Sequence, residues 1–204
     1  LPGLYLGGLN WTHPALGDLD GDGDLDLLVG ERSGGLVRYE NQGTPSSPDW
    51  VFAEQGFASV NEEFFAYPTL ADLNGDNHVD LIVGSEEQYV GIYFQSGGTY
   101  PDNPDTSLPA GESPVPAFND LDGDGDLDLL VGCEDGTLHH YKNTGTLTSP
   151  AWSLQTALYA GIQESVHVQP AFIDLDGDSD LDILLGLNGY FVWYQRGGTA
   201  AVPT

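Results

Sequence analysis

The sequence has very little positive charge and almost no cysteine. Lys and Arg together number 4, against 32 Asp and Glu, which gives a formal net charge of −28. Such a surface repels phosphate and carries no basic patch, which excludes a nucleic-acid-binding protein. The single cysteine, Cys133, cannot form an internal disulfide. We interpret it as a small, half-buried strand residue rather than a nucleophile.

Long apolar runs and helical periodicity are also lacking. No stretch is apolar for long enough to span a bilayer, and no signal peptide is recognisable. Because the chain starts at Leu1 without Met, we expect a mature or trimmed form. A chain of 204 residues can bury a good core, and we predict a single domain over residues 1–204.

Aspartate, by contrast, is abundant and follows one repeated pattern. The nine residues 18–26 place Asp at every second position, with Gly or Leu between, and the aliphatic run Leu27-Leu28-Val29 follows. The pattern recurs at 72–80, 120–128 and 174–182, and the four copies hold eighteen of the 32 acidic residues. A tight loop brings oxygens at positions 1, 3, 5 and 9 onto one point, and a backbone carbonyl can fill position 7.

This arrangement predicts about four Ca²⁺ ions, one for each loop. Mg²⁺ accepts fewer protein ligands and keeps its waters, so the number of carboxylates favours Ca²⁺. The predicted side-chain ligands are Asp18, Asp20, Asp22 and Asp26; Asp72, Asn74, Asp76 and Asp80; Asp120, Asp122, Asp124 and Asp128; and Asp174, Asp176, Asp178 and Asp182. The predicted carbonyl ligands belong to Asp24, His78, Asp126 and Asp180.

The sixth position of the loop needs a residue that tolerates positive φ. Gly23 and Gly125 suit this position, Asn77 tolerates it, and Ser179 suits it least.

Two other interpretations compete with a calcium loop. A solvated acidic turn without an ion fits one copy better than four copies in the same phase. An EF-hand requires Glu at position 12 and flanking helices, whereas position 12 here is Val or Leu within a short apolar run typical of a buried strand.

The loops mark an internal repeat. Their first aspartates, at 18, 72, 120 and 174, are separated by 54, 48 and 54 residues. Each repeat has a Pro four residues before the loop, a short apolar segment, the loop, a second strand, a turn and an aromatic third strand. A fourth strand is clear at 48–52 and 150–154 and poorly marked in the second repeat. The pattern predicts an all-β fold, a β-propeller of about four blades of four antiparallel strands.

The two ends of the chain bear on how the repeats are completed. The N-terminal segment Leu4-Tyr5-Leu6 can supply the missing strand of the last blade and so close a ring of four blades. One unit of a longer tandem array fits the same count. We prefer a closed ring or an end-to-end assembly, because an open arc leaves sheet edges exposed.

The acidic loops and the tail from Gly136 to Thr146 resemble the FG-GAP/VCBS-type repeats of integrin α-subunit propellers and of bacterial and fungal extracellular proteins. The resemblance covers nearly the whole chain. It implies a β-propeller with calcium in the loop between the first two strands of each blade. Integrin-like propellers have more blades than this chain holds. Members of the family serve in adhesion and carbohydrate binding, and some accompany enzymes.

For function, we predict a non-catalytic, extracellular calcium-binding module for adhesion or for recognition of a glycan or protein. Low-affinity calcium sites fill only where calcium is abundant, which favours a location outside the cell. The third-strand aromatic residues either pack between blades, which we favour, or form stacking platforms for a ligand. They are Tyr39, Tyr93, Phe94, Tyr141, Trp193 and Tyr194.

Two alternative functions stay open. One is a structural repeat subunit of an extracellular filament or larger adhesin, with self-assembly. The other is an accessory domain of a secreted enzyme. Catalysis by the chain itself is disfavoured, because no nucleophile elbow or H-E-x-x-H motif is present and the histidines do not recur at one repeat position. Asn10-Trp11-Thr12 is a weak match to a glycosylation sequon.

Overall fold

The computed structural model describes residues 11–60, 64–164 and 166–196. In these residues the chain forms strands and two single turns of 3₁₀ type, at Phe57–Ser59 and Tyr159–Gly161. The strands are β1 (His13–Gly17), β2 (Asp26–Gly30), β3 (Leu36–Asn41), β4 (Trp50–Gln55), β5 (Ala66–Ala71), β6 (Asp80–Ser85), β7 (Tyr89–Tyr93), β8 (Thr106–Pro109), β9 (Val115–Asn119), β10 (Asp128–Gly132), β11 (Leu138–Asn143), β12 (Trp152–Thr156), β13 (Gln169–Ile173), β14 (Asp182–Leu187) and β15 (Tyr190–Tyr194). None of the described helical segments is both long and apolar enough to cross a membrane.

The strands form four antiparallel sheets in which sequence neighbours pair. Blade 1 is β1 to β4, blade 2 is β5 to β8, blade 3 is β9 to β12, and blade 4 is β13 to β15. The predicted all-β class and the four β-propeller blades are therefore confirmed. The predicted closing segment Leu4-Tyr5-Leu6 and the sequon asparagine Asn10 lie outside the described residues.

The four blades share one register. The proline that precedes each loop lies inside the first strand and pairs with the twelfth residue of the loop pattern. The four pairs are Pro14 with Val29, Pro68 with Val83, Pro116 with Val131, and Pro170 with Leu185. A first strand pairs with only one neighbour in its described sheet. Proline, which has no N–H to donate, is tolerated in such an edge strand.

The Cα positions cluster into two compact units. The first comprises Leu1–Asp72 with Asp76–Ser107, and the second comprises Leu73–Gly75 with Leu108–Thr204. Leu28, Leu36, Leu81 and Val83 belong to the core of the first unit. Leu130, Leu138, Ile183 and Leu185 belong to the core of the second. The second strands supply much of this apolar surface, as their aliphatic sequences predict. The single domain over residues 1–204 stays a prediction.

The glycine that ends each of two second strands has a packing role that the sequence pattern did not reveal. A Cβ atom on Gly30 would lie 2.1 Å from the carbonyl oxygen of Ala66 in the next blade. A Cβ on Gly132 would lie equally close, 2.1 Å, to the carbonyl oxygen of Val168. Glycine therefore permits the backbones of consecutive blades to touch within each unit.

The fourth strands lie where the sequence predicted them in blades 1 and 3. Each begins at a tryptophan, Trp50 or Trp152. In blade 2 the fourth strand is the short segment Thr106–Pro109, beyond Pro101 and Pro104. Cys133 differs from the prediction, because it lies just after β10 and is fully buried rather than half-buried. Burial raises the pKa of its thiol.

Candidate functional site

Each acidic loop is shaped by its own first aspartate. In the first loop, Oδ1 of Asp18 accepts a hydrogen bond from the Gly21 N–H at 2.7 Å, and Oδ2 accepts one from the Gly23 N–H at 3.0 Å. Asp120 makes the two equivalent bonds at the same lengths in the third loop. The loops that begin at Asp72 and Asp174 also direct both carboxylate oxygens to loop N–H groups. All four sequences therefore form the same turn.

Backbone angles explain the choice of residues between the aspartates. The predicted positive φ at the sixth position is confirmed, with +94°, +66°, +93° and +76° at Gly23, Asn77, Gly125 and Ser179. The fourth position also has positive φ, and there the residue is always glycine: Gly21, Gly75, Gly123 and Gly177. This second requirement was not predicted from the sequence, although the glycine shared by all four copies is a signal for it.

The third and fifth positions complete the cluster of carboxylates. Oδ1 of Asp20 accepts the Asp22 N–H at 3.2 Å, and Oδ1 of Asp22 accepts the Asp24 N–H at 3.0 Å. As a result, one ligand atom from each of positions 1, 3 and 5 lies within 4.8 Å of the other two. The groups are Asp18, Asp20 and Asp22; Asp120, Asp122 and Asp124; and Asp174, Asp176 and Asp178. In these three loops the predicted convergence is present.

The second loop has a weaker donor set. Asn74 stands at its third position, so the loop offers an amide oxygen where the others offer a carboxylate. The rest of the turn is kept, since Oδ1 of Asp76 accepts the His78 N–H at 2.9 Å. Calcium accepts amide oxygens, but fewer negative charges lower the affinity of a site.

In the third and fourth loops, one side-chain oxygen at the seventh position is enclosed by the structure. Oδ1 of Asp126 and Oδ1 of Asp180 are buried and have no hydrogen-bond partner in the described structure. Burial, together with the negative charge of Asp124, raises the pKa of Asp126. A buried carboxylate oxygen without a donor, close to other carboxylates, is unfavourable unless a cation neutralises it. From the sequence, only the carbonyl was predicted as a ligand at this position.

The ninth aspartate has surroundings unlike those of the first three. Asp26, Asp80, Asp128 and Asp182 each begin a second strand and are at most 2% exposed. Oδ1 of each accepts an N–H at or just beyond the end of the third strand, from Asn41 (2.8 Å), Gln95 (3.0 Å), Asn143 (2.7 Å) and Arg196 (2.8 Å). Burial raises the pKa of Asp128 to about 6. These residues tie the loop to the sheet, and their assignment as ligands stays a prediction.

Two of the four cationic residues form ion pairs with the loop carboxylates. Nη2 of Arg38 lies 3.1 Å from Oδ2 of Asp20 and 2.8 Å from Oδ2 of Asp26. Lys142 pairs with Asp122 and lies 3.4 Å from Oδ2 of Asp124. Both cations reduce the repulsion among like charges. The Lys142 side chain is 35% exposed, so this pair is weak and the side chain can move aside for an ion.

The eighth residue of the loop links it to the rest of the blade. The Leu25 carbonyl accepts a hydrogen bond from Nε1 of Trp50 at 3.1 Å, and the Leu127 carbonyl accepts one from Nε1 of Trp152 at 3.0 Å. In blade 2 the Val79 carbonyl accepts the Tyr100 hydroxyl at 2.7 Å. The aromatic residue at or before the fourth strand therefore holds the loop from the far side of the sheet.

The aromatic residues of the third strands divide between the two predicted roles. Tyr93 and Tyr141 are each 3% exposed, which confirms packing for these two. Tyr39, Phe94 and Tyr194 are half-buried. Trp193 is 45% exposed and is thus available for contact with a partner.

The donor atoms of the acidic loops fit Ca²⁺. They are all oxygens, the carboxylates are grouped, and the buried oxygens at position 7 have no hydrogen-bond partner.

Comparisons with known proteins agree with this geometry. The model of a family described as FG-GAP-like repeat matches residues 18–83, 72–131 and 120–185. No match is found among curated proteins. Among solved structures, the chain is similar to an Agrocybe aegerita lectin with specific recognition of non-reducing terminal N-acetylglucosamine. The identity is 16% and the TM-score 0.54, over 95% of this chain and 51% of the lectin chain.

The chain is also similar to the V. cholerae biofilm matrix protein Bap1, at 16% identity and a TM-score of 0.43, over 94% of this chain and 38% of Bap1. It therefore spans about half, or less, of these two proteins. At such identities the likeness to the lectin concerns the fold alone. The family matches are broader, since together they run from the first acidic loop through the fourth. This chain belongs to the FG-GAP-like repeat family.

Proposed function

We propose that this chain is a non-catalytic, extracellular calcium-binding β-propeller module that recognises a glycan or an extracellular protein, as in adhesion. The observation that carries the proposal is the grouping of three carboxylates within 4.8 Å in each of three loops. Like charges held so close repel one another unless a cation lies among them. With a formal net charge of −28, the whole chain also favours cation binding.

In this proposal calcium has a structural role. The carboxylates at positions 1, 3 and 5 and the carbonyl at position 7 hold the ion, which fixes the loop between the first and second strands. Because the position 8 carbonyl is hydrogen-bonded to the outer part of the blade, an ordered loop also orders the sheet edge. Each independent site adds about 1.4–2.7 kcal/mol at calcium concentrations of about 10–100 times its dissociation constant.

The test is a thermal melt in excess Ca²⁺, in excess Mg²⁺ and with a chelator. We expect Ca²⁺ to raise the melting temperature strongly and Mg²⁺ to raise it less. Asp22→Asn removes one exposed carboxylate from the first loop and should reduce the calcium shift. Gln42→Glu adds an exposed acid outside the loops and should leave the shift unchanged. An equal melting temperature with Ca²⁺ and with the chelator would overturn the calcium proposal.

Recognition of a glycan is the part of the proposal to screen first. Half-buried and exposed aromatic residues such as Tyr39 and Trp193 supply stacking surfaces. The Agrocybe aegerita lectin, which shares the fold, recognises terminal N-acetylglucosamine, so that sugar belongs in the first panel. Binding of calcium-loaded protein to a glycan array is the measurement. Failure to bind any glycan there would leave only an extracellular protein as the proposed partner.

A structural repeat subunit is the second candidate, and one observation favours it. On β15, the last described strand of blade 4, Tyr190, Phe191 and Trp193 are 52%, 71% and 45% exposed. Exposed aromatic residues on a terminal strand suit self-association. Light scattering in calcium separates the two candidates. Concentration-dependent growth in mass supports a filament, whereas a monomer at high concentration contradicts it.

A further inference from the structure

A cavity of about 430 Å³ opens between the outer strands of blade 3 and residues 108–110, at the end of β8, and all its lining residues belong to the second compact unit. Its walls are mainly apolar and aromatic, formed by Leu108, Pro109, His139, Tyr141, Trp152 and Leu154. Ligand pockets typically have such volumes and such linings, with a few polar groups that orient the ligand. We call this the blade 3 cavity.

Strand geometry explains how these side chains meet. His139 and Tyr141 are two residues apart on β11, and Trp152 and Leu154 are two residues apart on β12, so each pair lies on one face of its strand. Tyr141 lies directly opposite Leu154 in the register of the two strands. The Tyr141 hydroxyl donates a hydrogen bond to the Pro109 carbonyl, which holds the segment 108–110 against the sheet.

Trp152 forms a fixed aromatic wall. Its indole nitrogen is hydrogen-bonded to the Leu127 carbonyl, and its ring meets the Phe118 ring edge-on, with centroids 6.1 Å apart and planes at 71°. The side chain is half-buried, so part of the ring is left for contact with a ligand. An aromatic surface that is already oriented loses little conformational freedom when a ligand packs on it.

His139 supplies an imidazole to the lining of the cavity, which also includes Ser153. Its Nδ1 is buried and has no hydrogen-bond partner in the described structure. In the subsite inferred below, a ligand is hydrogen-bonded through Nε2. Burial lowers the pKa of His139, so the ring stays neutral near neutral pH and can either donate or accept a hydrogen bond. The Tyr141 hydroxyl, by contrast, is already engaged with the backbone.

Charge narrows the chemistry of the ligand. No Lys, Arg, Asp or Glu lines the cavity, and the formal net charge of −28 opposes the approach of an anion. A pyranose ring offers an apolar face of C–H groups that packs on an aromatic ring, and hydroxyl groups around its edge that need hydrogen bonds. A neutral sugar matches both the indole wall and the imidazole.

We infer that the blade 3 cavity is a subsite for one neutral pyranose ring, which packs on Trp152 and Leu154 and is hydrogen-bonded by His139. This inference rests on the proposed glycan recognition and names where it occurs. Blade 1 has the corresponding Tyr39, Trp50 and Phe52, but Val37 stands in place of His139 and is 3% exposed. Blade 1 therefore lacks the imidazole, and it also has Val51 in place of Ser153, so it provides a control without these polar groups.

The test uses the calcium-loaded chain and saturation-transfer NMR with three probes: the methyl glycosides of N-acetylglucosamine and galactose, and that of glucuronic acid as the anionic comparator. His139→Val copies the blade 1 residue, and Leu154→Ala shortens an exposed side chain. We expect each variant to weaken binding of a neutral glycoside by about tenfold or more. Phe52→Ala, the equivalent of Leu154→Ala in blade 1, should leave binding unchanged. Thermal melts in calcium verify that all three variants fold.

Other outcomes overturn the inference in distinguishable ways. If the wild-type chain binds a neutral glycoside and both blade 3 variants bind it equally well, the subsite is wrong while glycan recognition stands. If glucuronic acid binds as well as the neutral sugars, the assignment of a neutral ligand is wrong. If the wild-type chain binds none of the probes and no glycan on the array, the proposed glycan recognition fails and the subsite fails with it.

Discussion

Nε1 of Trp152 donates a hydrogen bond to the carbonyl oxygen of Leu127, 3.0 Å away, and so joins the fourth strand of blade 3 to the eighth residue of its acidic loop. Trp50 and Leu25 have the same relationship in blade 1, at 3.1 Å. In both blades, this hydrogen bond joins residues 25 positions apart. It therefore couples the conformation of the acidic loop to that of the sheet edge.

Replacing this tryptophan should therefore affect both stability and calcium binding. Trp152→Phe keeps an aromatic ring but removes the donor, and we expect a loss of about 1 kcal/mol in the free energy of unfolding. The calcium-induced shift in melting temperature should shrink as well. Trp50→Phe provides the comparison and should behave alike. A variant that melts like the wild type at every calcium concentration would show that the hydrogen bond contributes nothing.

Two aspartates of the third loop should respond differently to the same substitution. The buried Asp128 accepts N–H groups from Asn143 at 2.7 Å and Leu121 at 3.2 Å, and an amide can accept with only one of its two polar atoms. Asp128→Asn should cost about 1–3 kcal/mol even with chelator present. Asp124→Asn should leave the calcium-free melting temperature almost unchanged and weaken calcium binding. Equal effects of the two substitutions in chelator would contradict the distinct roles assigned to positions 5 and 9.

The close contact between blades 3 and 4 can be tested at one glycine. Gly132→Ala places a methyl group 2.1 Å from the Val168 carbonyl oxygen, and we expect a destabilisation of about 1–3 kcal/mol or more. Gly186 ends the corresponding stretch of blade 4, and its nearest described neighbour would lie 3.6 Å from an added Cβ. Gly186→Ala is therefore the matched control and should cost much less. Chemical denaturation of both variants in calcium measures the difference.

Ser179 is the least suitable residue found at the sixth loop position. Its φ of +76° is a conformation that costs a non-glycine residue about 1–2 kcal/mol, whereas glycine loses about 0.5–1 kcal/mol through greater freedom in the unfolded chain. Ser179→Gly should therefore stabilise the protein by about 0.5–1 kcal/mol. The reverse change in the third loop, Gly125→Ser, should destabilise it. Destabilisation by Ser179→Gly would mean that the serine side chain makes a compensating contact.

His139 should make stability depend on pH. Burial lowers its pKa, so the unfolded chain takes up a proton on this residue at a higher pH than the folded chain does. The contribution of His139 to stability should therefore fall as the pH drops below about 6.5, the ordinary histidine value. In saturating calcium, we expect the melting temperature of His139→Gln to fall less than that of the wild type when the pH is lowered from about 7.5 to about 5.5. An equal loss of melting temperature in His139→Gln and in the wild type would contradict this contribution.

The sequence predicted those structural features that depend on interactions between residues close together in the chain. The order and type of the strands followed from apolar runs between loops, and the turn at Asp18 followed from spacing, because both involve residues a few positions apart. The positive φ at Asn77 and Ser179 was predictable for the same reason. The fourth-position glycine was predictable in principle but needed the geometry of the turn to explain it.

The sequence by itself determined the four repeats, the acidic loops and the blades, because each depends on backbone geometry and apolar periodicity within about ten residues. Only the tertiary structure decided what the other residues do. In the folded chain, the Trp152 indole N–H is hydrogen-bonded to the Leu127 carbonyl. Asp128 is buried and accepts the Asn143 N–H at the end of the third strand, and His139 and Leu108 line the same cavity. These relationships join residues far apart in the chain, and their distances are fixed by the packing of strands and blades, which no local pattern encodes.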